Sequence, residues 1–206
     1  MPHSRRRSSG VFVSAGRSVM QITRCWCSWG SVVSESWDRA SVSELVEHVD
    51  EHDHVLGVVE RDEAVRRNWP HRIATTICRD RQGRILVLRR AEAMSHFPGY
   101  YDVMVGGTVN VGESYEEAAA RELSEELCVR APVRFMFKFL CQKRISPVWF
   151  GVHEAVATGR LTSDPGEIAW HGWLAVAEVR EVVDQWLFVP GGREALRRYL
   201  QSGSGG

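Results

Sequence analysis

The pattern of apolar and polar residues becomes regular at about residue 42 and remains regular to Leu200. Short apolar runs rich in Val and Ile are typical of β-strands, and apolar residues spaced three and four apart are typical of amphipathic helices. The runs that predict strands are 55–59, 73–78, 85–88, 101–105, 133–140, 147–157 and 168–174. The segments that predict helices are 114–127, 175–183 and 193–200. The charged segment 61–67 predicts a turn or a short helix.

The order of these elements predicts an α/β fold, in which helices pack on both faces of a mixed sheet. Asp80–Gly83 separates two apolar runs, so we expect 73–78 and 85–88 to form a β-hairpin. The pair Gly106–Gly107 follows another predicted strand and indicates a turn, because glycine adopts backbone conformations that side chains block.

The helix after these glycines has a clear start signal. Ser114 followed by Glu117 fits a capping box, in which each residue satisfies a backbone N–H of the other. Glu116 and Glu117 also favour the positive end of a helix. We therefore expect a helix from near Ser114 to near Leu127.

The first 34 residues differ from the rest, since they contain no acidic residue, five arginines and eight serines. We interpret residues 1–41 as a disordered or mis-annotated N-terminal extension. A disordered basic tail, a targeting peptide and translated sequence upstream of the true start are the alternatives, with Met20, Val33 or Val42 as candidate start positions. Residues 42–200 are predicted to form one domain, and residues 201–206 a flexible C-terminal tail.

The composition is that of an ordinary globular protein, with 206 residues, 44% hydrophobic and 25% charged. The formal net charge of zero argues against bulk electrostatic binding to nucleic acid or to an anionic membrane. Apolar runs of roughly 18 residues, which a membrane-spanning helix needs, do not occur. The five cysteines are scattered and odd in number, which favours a reducing compartment, and we predict a cytoplasmic protein. A small-molecule substrate and a monomer or homodimer are expected.

Three acidic residues of the predicted helix are candidate ligands of a metal ion. Glu122, Glu125 and Glu126 stand at i, i+3 and i+4 on the predicted helix, so their carboxylates share one face. Such carboxylates repel one another unless a cation lies between them, and hard oxygen ligands suit Mg²⁺ or Mn²⁺. Arg121 is placed to reach back toward Glu113 and to orient the acids. The alternative interpretation is a solvated acidic helix face.

The sequence motif that contains these acids extends beyond the helix into the segment that precedes it. Gly107–Glu113, then seven residues, then Arg121–Val129 resembles the signature of the Nudix hydrolase family, the Nudix box. The family pattern is G, five residues, E, seven residues and R-E-U-x-E-E-x-G-U, where U is a bulky aliphatic residue. Cys128 stands where the family has Gly, which affects the turn after the helix rather than a metal ligand. The resemblance extends along residues 54–200.

The resemblance implies the Nudix fold, an α/β/α sandwich with a mixed sheet. It also implies hydrolysis of a diphosphate linked to another group, commonly a nucleoside, by a metal-activated water. The implied ligands of Mg²⁺, or of Mn²⁺, are the carboxylates of Glu122, Glu125 and Glu126 and the carbonyl oxygen of Gly107. In the catalytic machinery, Glu113 and Arg121 are expected to fix the geometry, and Glu125 or Glu167 to act as general base. For Glu167, an ordinary loop carboxylate is the alternative.

Two other functions stay open. Val55–Gly57, Arg61 and His71–Arg72 resemble the branch related to isopentenyl-diphosphate isomerase, but the catalytic cysteine and metal-binding histidine of that enzyme fall at Gly106 and Thr108 here. A non-catalytic nucleotide sensor is the other alternative, and the intact arginine and glutamates argue against it.

A few remaining residues have weaker signals. His48 and His52 have metal-ligand spacing for a helix, but we interpret them as part of a solvated, charged lead-in. Cys25 and Cys27 lack the second pair that a zinc site needs. His71 is either a site residue or a structural histidine, and Trp149 is a candidate for stacking on a base.

Overall fold

The computed structural model describes residues 44–142 and 145–202. The predicted N-terminal extension, with its candidate start positions and Cys25 and Cys27, lies outside the described residues. The strands are β1 (Leu45–Val49), β2 (Val55–Glu60), β3 (His71–Arg79), β4 (Ile85–Arg90), β5 (Tyr101–Asp102), β6 (Met104–Thr108), β7 (Val133–Cys141), β8 (Val148–Val156) and β9 (Ile168–Leu174). The helices are α1 (Arg61–Arg67), α2 (Tyr115–Leu127), α3 (Val176–Gln185) and α4 (Pro190–Ser202). Within the described residues, no helix is both long enough and apolar enough to cross a membrane.

The main sheet is mixed, as predicted. Its strand order is β5-β4-β3-β8-β7, with β6 also paired to β3 and β9 to β4. The pair β3–β8 is parallel from His71↔Val148 to Arg79↔Val156, and the other pairs are antiparallel. The predicted hairpin of β3 and β4 is confirmed only at its turn, because the two strands pair at Arg79↔Ile85 and then diverge. Strand β6 takes the place beside β3.

Helices cover both faces of this sheet, which confirms the layered α/β architecture. Along β4, Ile85 and Val87 join the core cluster that contains residues of α3 and α4. Leu86 and Leu88 belong to the cluster of α2, on the opposite face. Strand β4 is thus buried on both sides, which is why its sequence reads as a continuous apolar run.

Helix α2 begins and ends where the sequence predicts. The N-cap hydroxyl of Ser114 accepts a hydrogen bond from the N–H of Glu117, at 3.2 Å. The Glu117 carboxylate accepts from the N–H of Ser114, at 2.9 Å, and completes the capping box. On the inner face, Leu123 and Leu127 are fully buried. Burial of each of these side chains contributes roughly 2 kcal/mol to folding.

Helix α4 begins at Pro190, three residues before the predicted start, and runs to Ser202, two residues into the predicted tail. Proline is favoured at the first position of a helix, but Gly191 and Gly192 are weak helix formers and mask the start in the sequence. The structure explains Gly192, because a Cβ there would lie 1.9 Å from the Asp102 carboxylate.

Two expectations about local structure are wrong. The strand predicted at 55–59 is confirmed as β2, but the residues around His48 form its antiparallel partner β1 and not a solvated lead-in, and of the two histidines only His52 lies exposed between the two strands. Val46 and Val49 are fully buried, and a β-bulge at His48/Val49 gives them a spacing of three instead of two. Likewise, Gly106–Gly107 make no turn, because β6 continues through them to Thr108.

The end of α2 contains a strained residue. Cys128 has φ 54° and ψ 30°, a left-handed conformation in which a Cβ costs about 1–2 kcal/mol. We expect Cys128→Gly to increase the free energy of unfolding by about 0.5–1 kcal/mol, since the flexibility of glycine in the unfolded chain offsets part of the relief. Urea unfolding measures the change. Cys128→Ala, which keeps the Cβ, should bring no gain, and a loss in the glycine variant would contradict the strain argument.

Candidate functional site

A cleft of about 1350 Å³ opens beside α2 and β6. Its walls also include β3, the loop at 94–96 and the loop at 162–167. Six of the predicted site residues line it, namely Gly107, Arg121, Glu122, Glu125, Glu126 and Glu167. The seventh, Glu113, contacts Arg121 from the loop between β6 and α2. The structure therefore brings all seven predicted residues together.

The Arg121 guanidinium is the centre of this cluster. It donates two hydrogen bonds to the Glu113 carboxylate, at 2.9 and 3.0 Å, and one to the carbonyl oxygen of Thr108, at 3.0 Å. It also donates to Glu122 at 2.6 Å and to Glu125 at 3.3 Å. The hydrogen bonds to Glu113 are the largest cause that raises the pKa of Arg121. The predicted reach of Arg121 back to Glu113 is confirmed, and this cation orients two of the three helix carboxylates.

Glu113 closes the loop before α2. Its carboxylate accepts from the N–H of Asn110 at 3.0 Å, and its own N–H donates to the carbonyl oxygen of Asn110 at 3.0 Å. Burial alone would raise the pKa of Glu113, but the hydrogen bonds from Arg121 and Asn110 outweigh it and lower the pKa below its usual value. Glu113 is thus a fixed carboxylate that anchors the loop to the helix.

Glu122 lies against the backbone of β6. A Cβ on Gly107 would stand 2.6 Å from the carboxylate oxygen Oε1 of Glu122, so any larger residue would push this carboxylate out of its present position. Burial is the main cause that raises the pKa of Glu122, and the hydrogen bond from Arg121 opposes it. Gly106 has a different role, since its α-carbon packs on β3, where a Cβ would stand 2.1 Å from the carbonyl oxygen of Ala74.

Glu126 is the most strongly perturbed acid of the cleft. Its carboxylate accepts one hydrogen bond from the N–H of Gly106, at 3.1 Å. Burial first, and then the charges of Glu122 and Glu167, raise its pKa well above the usual value. Glu167, on the turn before β9, is therefore close enough to act electrostatically on Glu126. Perturbed acids that share a cleft are typical of functional sites.

The carboxylate oxygens of the cleft are hard ligands of the kind that Mg²⁺ or Mn²⁺ prefers. Burial and mutual repulsion disfavour the charges of Glu122 and Glu126, and a cation between them would relieve this. Within residues 44–142 and 145–202, however, no three His, Cys, Asp or Glu side chains stand in an arrangement that could hold a metal ion. Arg121 binds Glu122 and Glu125 instead. A cation at this place would compete with the arginine for these oxygens.

Several weaker expectations do not lead to the cleft. His71 is buried at the start of β3, and Trp149 donates its Nε1–H to the carbonyl oxygen of Asp50, at 3.0 Å. Neither residue lines the cleft, so the structure does not favour a base-stacking role for Trp149. His48 stacks on Trp69, with ring centroids 4.6 Å apart. Thr108, at the position of the isomerase histidine, does line the cleft.

Sequence reasoning assigned no role to three other polar residues that line the cleft. Arg90, at the end of β4, donates its Nε–H to the carbonyl oxygen of His96 at 3.1 Å, and its charge acts on Glu126. Arg61, at the start of α1, also lines the cleft. Asp102 accepts from the N–H groups of Val103 and Met104. These side chains come from one helix and two separate strands, so no local sequence motif contains them.

The chain is similar to known proteins in both sequence and structure. The family model described as the NUDIX domain matches residues 69–199. An uncharacterized Nudix hydrolase of Streptomyces coelicolor is 40% identical over 162 residues, which are 77% of this chain and 90% of that protein. A prenyl-diphosphate phosphatase of Methanosarcina mazei is 28% identical over 169 residues, 77% of this chain and 96% of that protein. A crystal structure of a Deinococcus radiodurans protein matches with a TM-score of 0.65 and 30% identity, over 75% of this chain and 98% of that one.

Proposed function

This chain belongs to the Nudix hydrolase family and hydrolyses phosphoric anhydride bonds, and we propose that it cleaves the diphosphate linkage of a nucleoside diphosphate derivative or a similar small molecule with Mg²⁺ or Mn²⁺. One observation carries this proposal. Four carboxylates, those of Glu122, Glu125, Glu126 and Glu167, line one cleft. A cleft that concentrates negative charge cannot bind an anionic diphosphate well without a cation.

The ligands in this proposal are the carboxylates of Glu122, Glu125 and Glu126 and the carbonyl oxygen of Gly107. The cation would neutralise phosphate charge and lower the pKa of an attacking water. Glu113 and Arg121 hold α2 against the preceding loop, so that the acids keep a fixed direction. Arg90 and Arg61 line the same cleft and supply positive charge for phosphate oxygens.

The general base is Glu125 or Glu167. Glu125 is exposed, and its contact with Arg121 is long, at 3.3 Å. Glu167 is exposed on the turn before β9 and close to Glu126. Both carboxylates line the cleft, and removal of the base should reduce kcat by about 10²–10⁴-fold.

A second candidate substrate has an apolar group in place of the nucleoside. Apolar side chains form part of the cleft wall, namely Ile73, Leu88, Met104, Phe150 and Val189. Phe150 is buried, so it offers little ring surface for stacking on a base. The relative from Methanosarcina mazei is a prenyl-diphosphate phosphatase, which agrees with such a substrate.

Turnover of a substrate panel separates these possibilities. The panel contains nucleoside diphosphate derivatives, isopentenyl diphosphate and geranyl diphosphate, each with Mg²⁺, with Mn²⁺ and with EDTA. We expect metal-dependent hydrolysis, with a kcat/KM at least about tenfold higher for one class than for the other, because burial of an apolar chain contributes about 0.8 kcal/mol per CH₂. Tight binding without turnover would indicate a sensor. Isomerised isopentenyl diphosphate would indicate an isomerase despite Gly106 and Thr108.

A further inference from the structure

The strand pair β1–β2 precedes the residues matched to the family model, yet it contacts the loop that carries Glu113. Val46 forms an antiparallel β-bridge with Asn110. The Glu47 carboxylate oxygen Oε1 accepts a hydrogen bond from the N–H of Gly112, at 3.1 Å. A segment outside the motif therefore holds the backbone of the loop between β6 and α2.

The Glu47 carboxylate is fixed from its other side as well. Its oxygen Oε2 accepts from Nη1 of Arg72 at 2.8 Å. Arg72 is itself held by Asp53, with Nε 2.6 Å from Oδ1 and Nη2 2.6 Å from the carbonyl oxygen. The Glu47 side chain is only 14% exposed. Its direction toward Gly112 is thus set by ionic contacts in the body of the protein.

Around Gly112 the loop is held by hydrogen bonds and not by packing. Gly112 has a φ of 78°, and no atom lies within 4 Å of the place where its Cβ would be. Its neighbour Val111 is exposed. Because packing does not hold Gly112, the hydrogen bond to Glu47 and the two hydrogen bonds between Asn110 and Glu113 fix the backbone just before Glu113.

We propose that Glu47 is a positioning residue for the metal site. It holds Gly112 so that Glu113 presents both carboxylate oxygens to Arg121. Arg121 in turn orients Glu122 and Glu125. The inference rests on the proposed metal-dependent function and deepens it, because it assigns part of the metal affinity to a strand outside the Nudix box. Outer groups that orient metal ligands typically change metal affinity by 10–100-fold.

Calorimetric titration with Mn²⁺ tests this proposal in three variants of the full chain. Glu47→Ala should weaken Mn²⁺ binding by about tenfold. Glu47→Gln keeps an oxygen for the N–H of Gly112 and loses the charge that Arg72 needs, so its Tm should fall while its Mn²⁺ affinity stays within about threefold of wild type. If the alanine variant does not fold, Glu47→Met refills the space without an acceptor and should show the same loss of affinity.

The matched control is Glu154→Ala. Glu154 resembles Glu47 in its side-chain exposure, 16%, and in its contact with an arginine, Arg134, at 2.8 Å. It does not line the cleft, so this variant should lose stability and keep its Mn²⁺ affinity. Affinity that follows Tm across all variants, or an unchanged affinity in Glu47→Ala and Glu47→Met, would overturn the role of Glu47. No Mn²⁺ binding by the wild type would instead overturn the proposed function.

Discussion

A Glu126→Gln variant is expected to lose hydrolysis by at least about a thousandfold and, without metal, to unfold at a higher temperature than the wild type. The loss follows because a neutral amide replaces a carboxylate that we propose as a metal ligand, and about 4 kcal/mol of transition-state stabilisation corresponds to a thousandfold in rate. The gain follows because the partly buried Glu126 carboxylate lies near Glu122 and Glu167, and its raised pKa means that its charge is unfavourable in the folded protein. The amide oxygen can still accept from the N–H of Gly106. We expect a gain of about 1 kcal/mol, or 2–4 °C in Tm.

Thermal unfolding at pH 8, with EDTA and then with Mg²⁺, measures the stability half of this prediction. Mg²⁺ should raise the Tm of the wild type more than that of the variant, because a ligand stabilises only the state that binds it. Glu116→Gln is the matched control, since Glu116 is an exposed acid on the same helix. It should keep its activity and show no gain in Tm, because loss of its favourable charge at the helix N-terminus costs about 1 kcal/mol or less. Activity within tenfold of wild type in Glu126→Gln would remove Glu126 from the ligand set.

The elements that could be predicted from the sequence are those with local signals. The sequence predicts helix α2 to within one residue at each end, because Ser114, Glu117 and the apolar stripe lie within one segment. The parallel pairing of β3 with β8 joins residues that are more than 70 positions apart, and no local pattern encodes it. The same holds for the divergence of β3 and β4, which depends on β6 as a competing partner.

The residues of the candidate site also divide into those that a local sequence signal predicts and those that only the fold brings to the site. The motif predicts six residues of the site, and the position of Glu167 before a late strand predicts the seventh. Glu47 and Arg90 were missed, since each reaches the site only through the fold. The strand that carries Glu47 was also misinterpreted, because its bulge disrupts the alternation by which a strand is recognised.

Asp53 lies between β1 and β2 and joins this N-terminal pair of strands to the rest of the protein. No local sequence pattern indicates this role. Its side chain is 2% exposed and accepts from Nε of Arg72 at 2.6 Å and from Nζ of Lys138 at 2.5 Å. The hydroxyl of Tyr115, the first residue of α2, lies 3.2 Å from its Oδ1. Burial is the main cause that raises the pKa of Tyr115, so this hydroxyl stays protonated and can donate. One buried carboxylate therefore joins β1–β2 to β3, β7 and α2.

Asp53→Asn is expected to reduce the free energy of unfolding by about 3 kcal/mol, because it leaves Arg72 with Glu47 as its one carboxylate partner among the described residues and removes the partner of Lys138. Asparagine also tolerates the left-handed backbone of this residue, with φ 68°, so the substitution removes charge with little added strain. The loss should be at the low end of the range for buried pairs, since Lys138 can turn toward water. Thermal unfolding should show a Tm lower by about 6–12 °C.

The control for Asp53 is Asp184→Asn, which removes a carboxylate that is 65% exposed and 3.0 Å from Arg197. Exposed pairs contribute about 1 kcal/mol or less, so this variant should lose at most 2–4 °C. Equal losses of Tm in the two variants would mean that burial does not increase the contribution of Asp53 to stability. A large loss of stability in Asp53→Asn together with unchanged Mn²⁺ affinity would show that Asp53 stabilises the fold and does not act on the proposed metal site through Arg72 and Glu47.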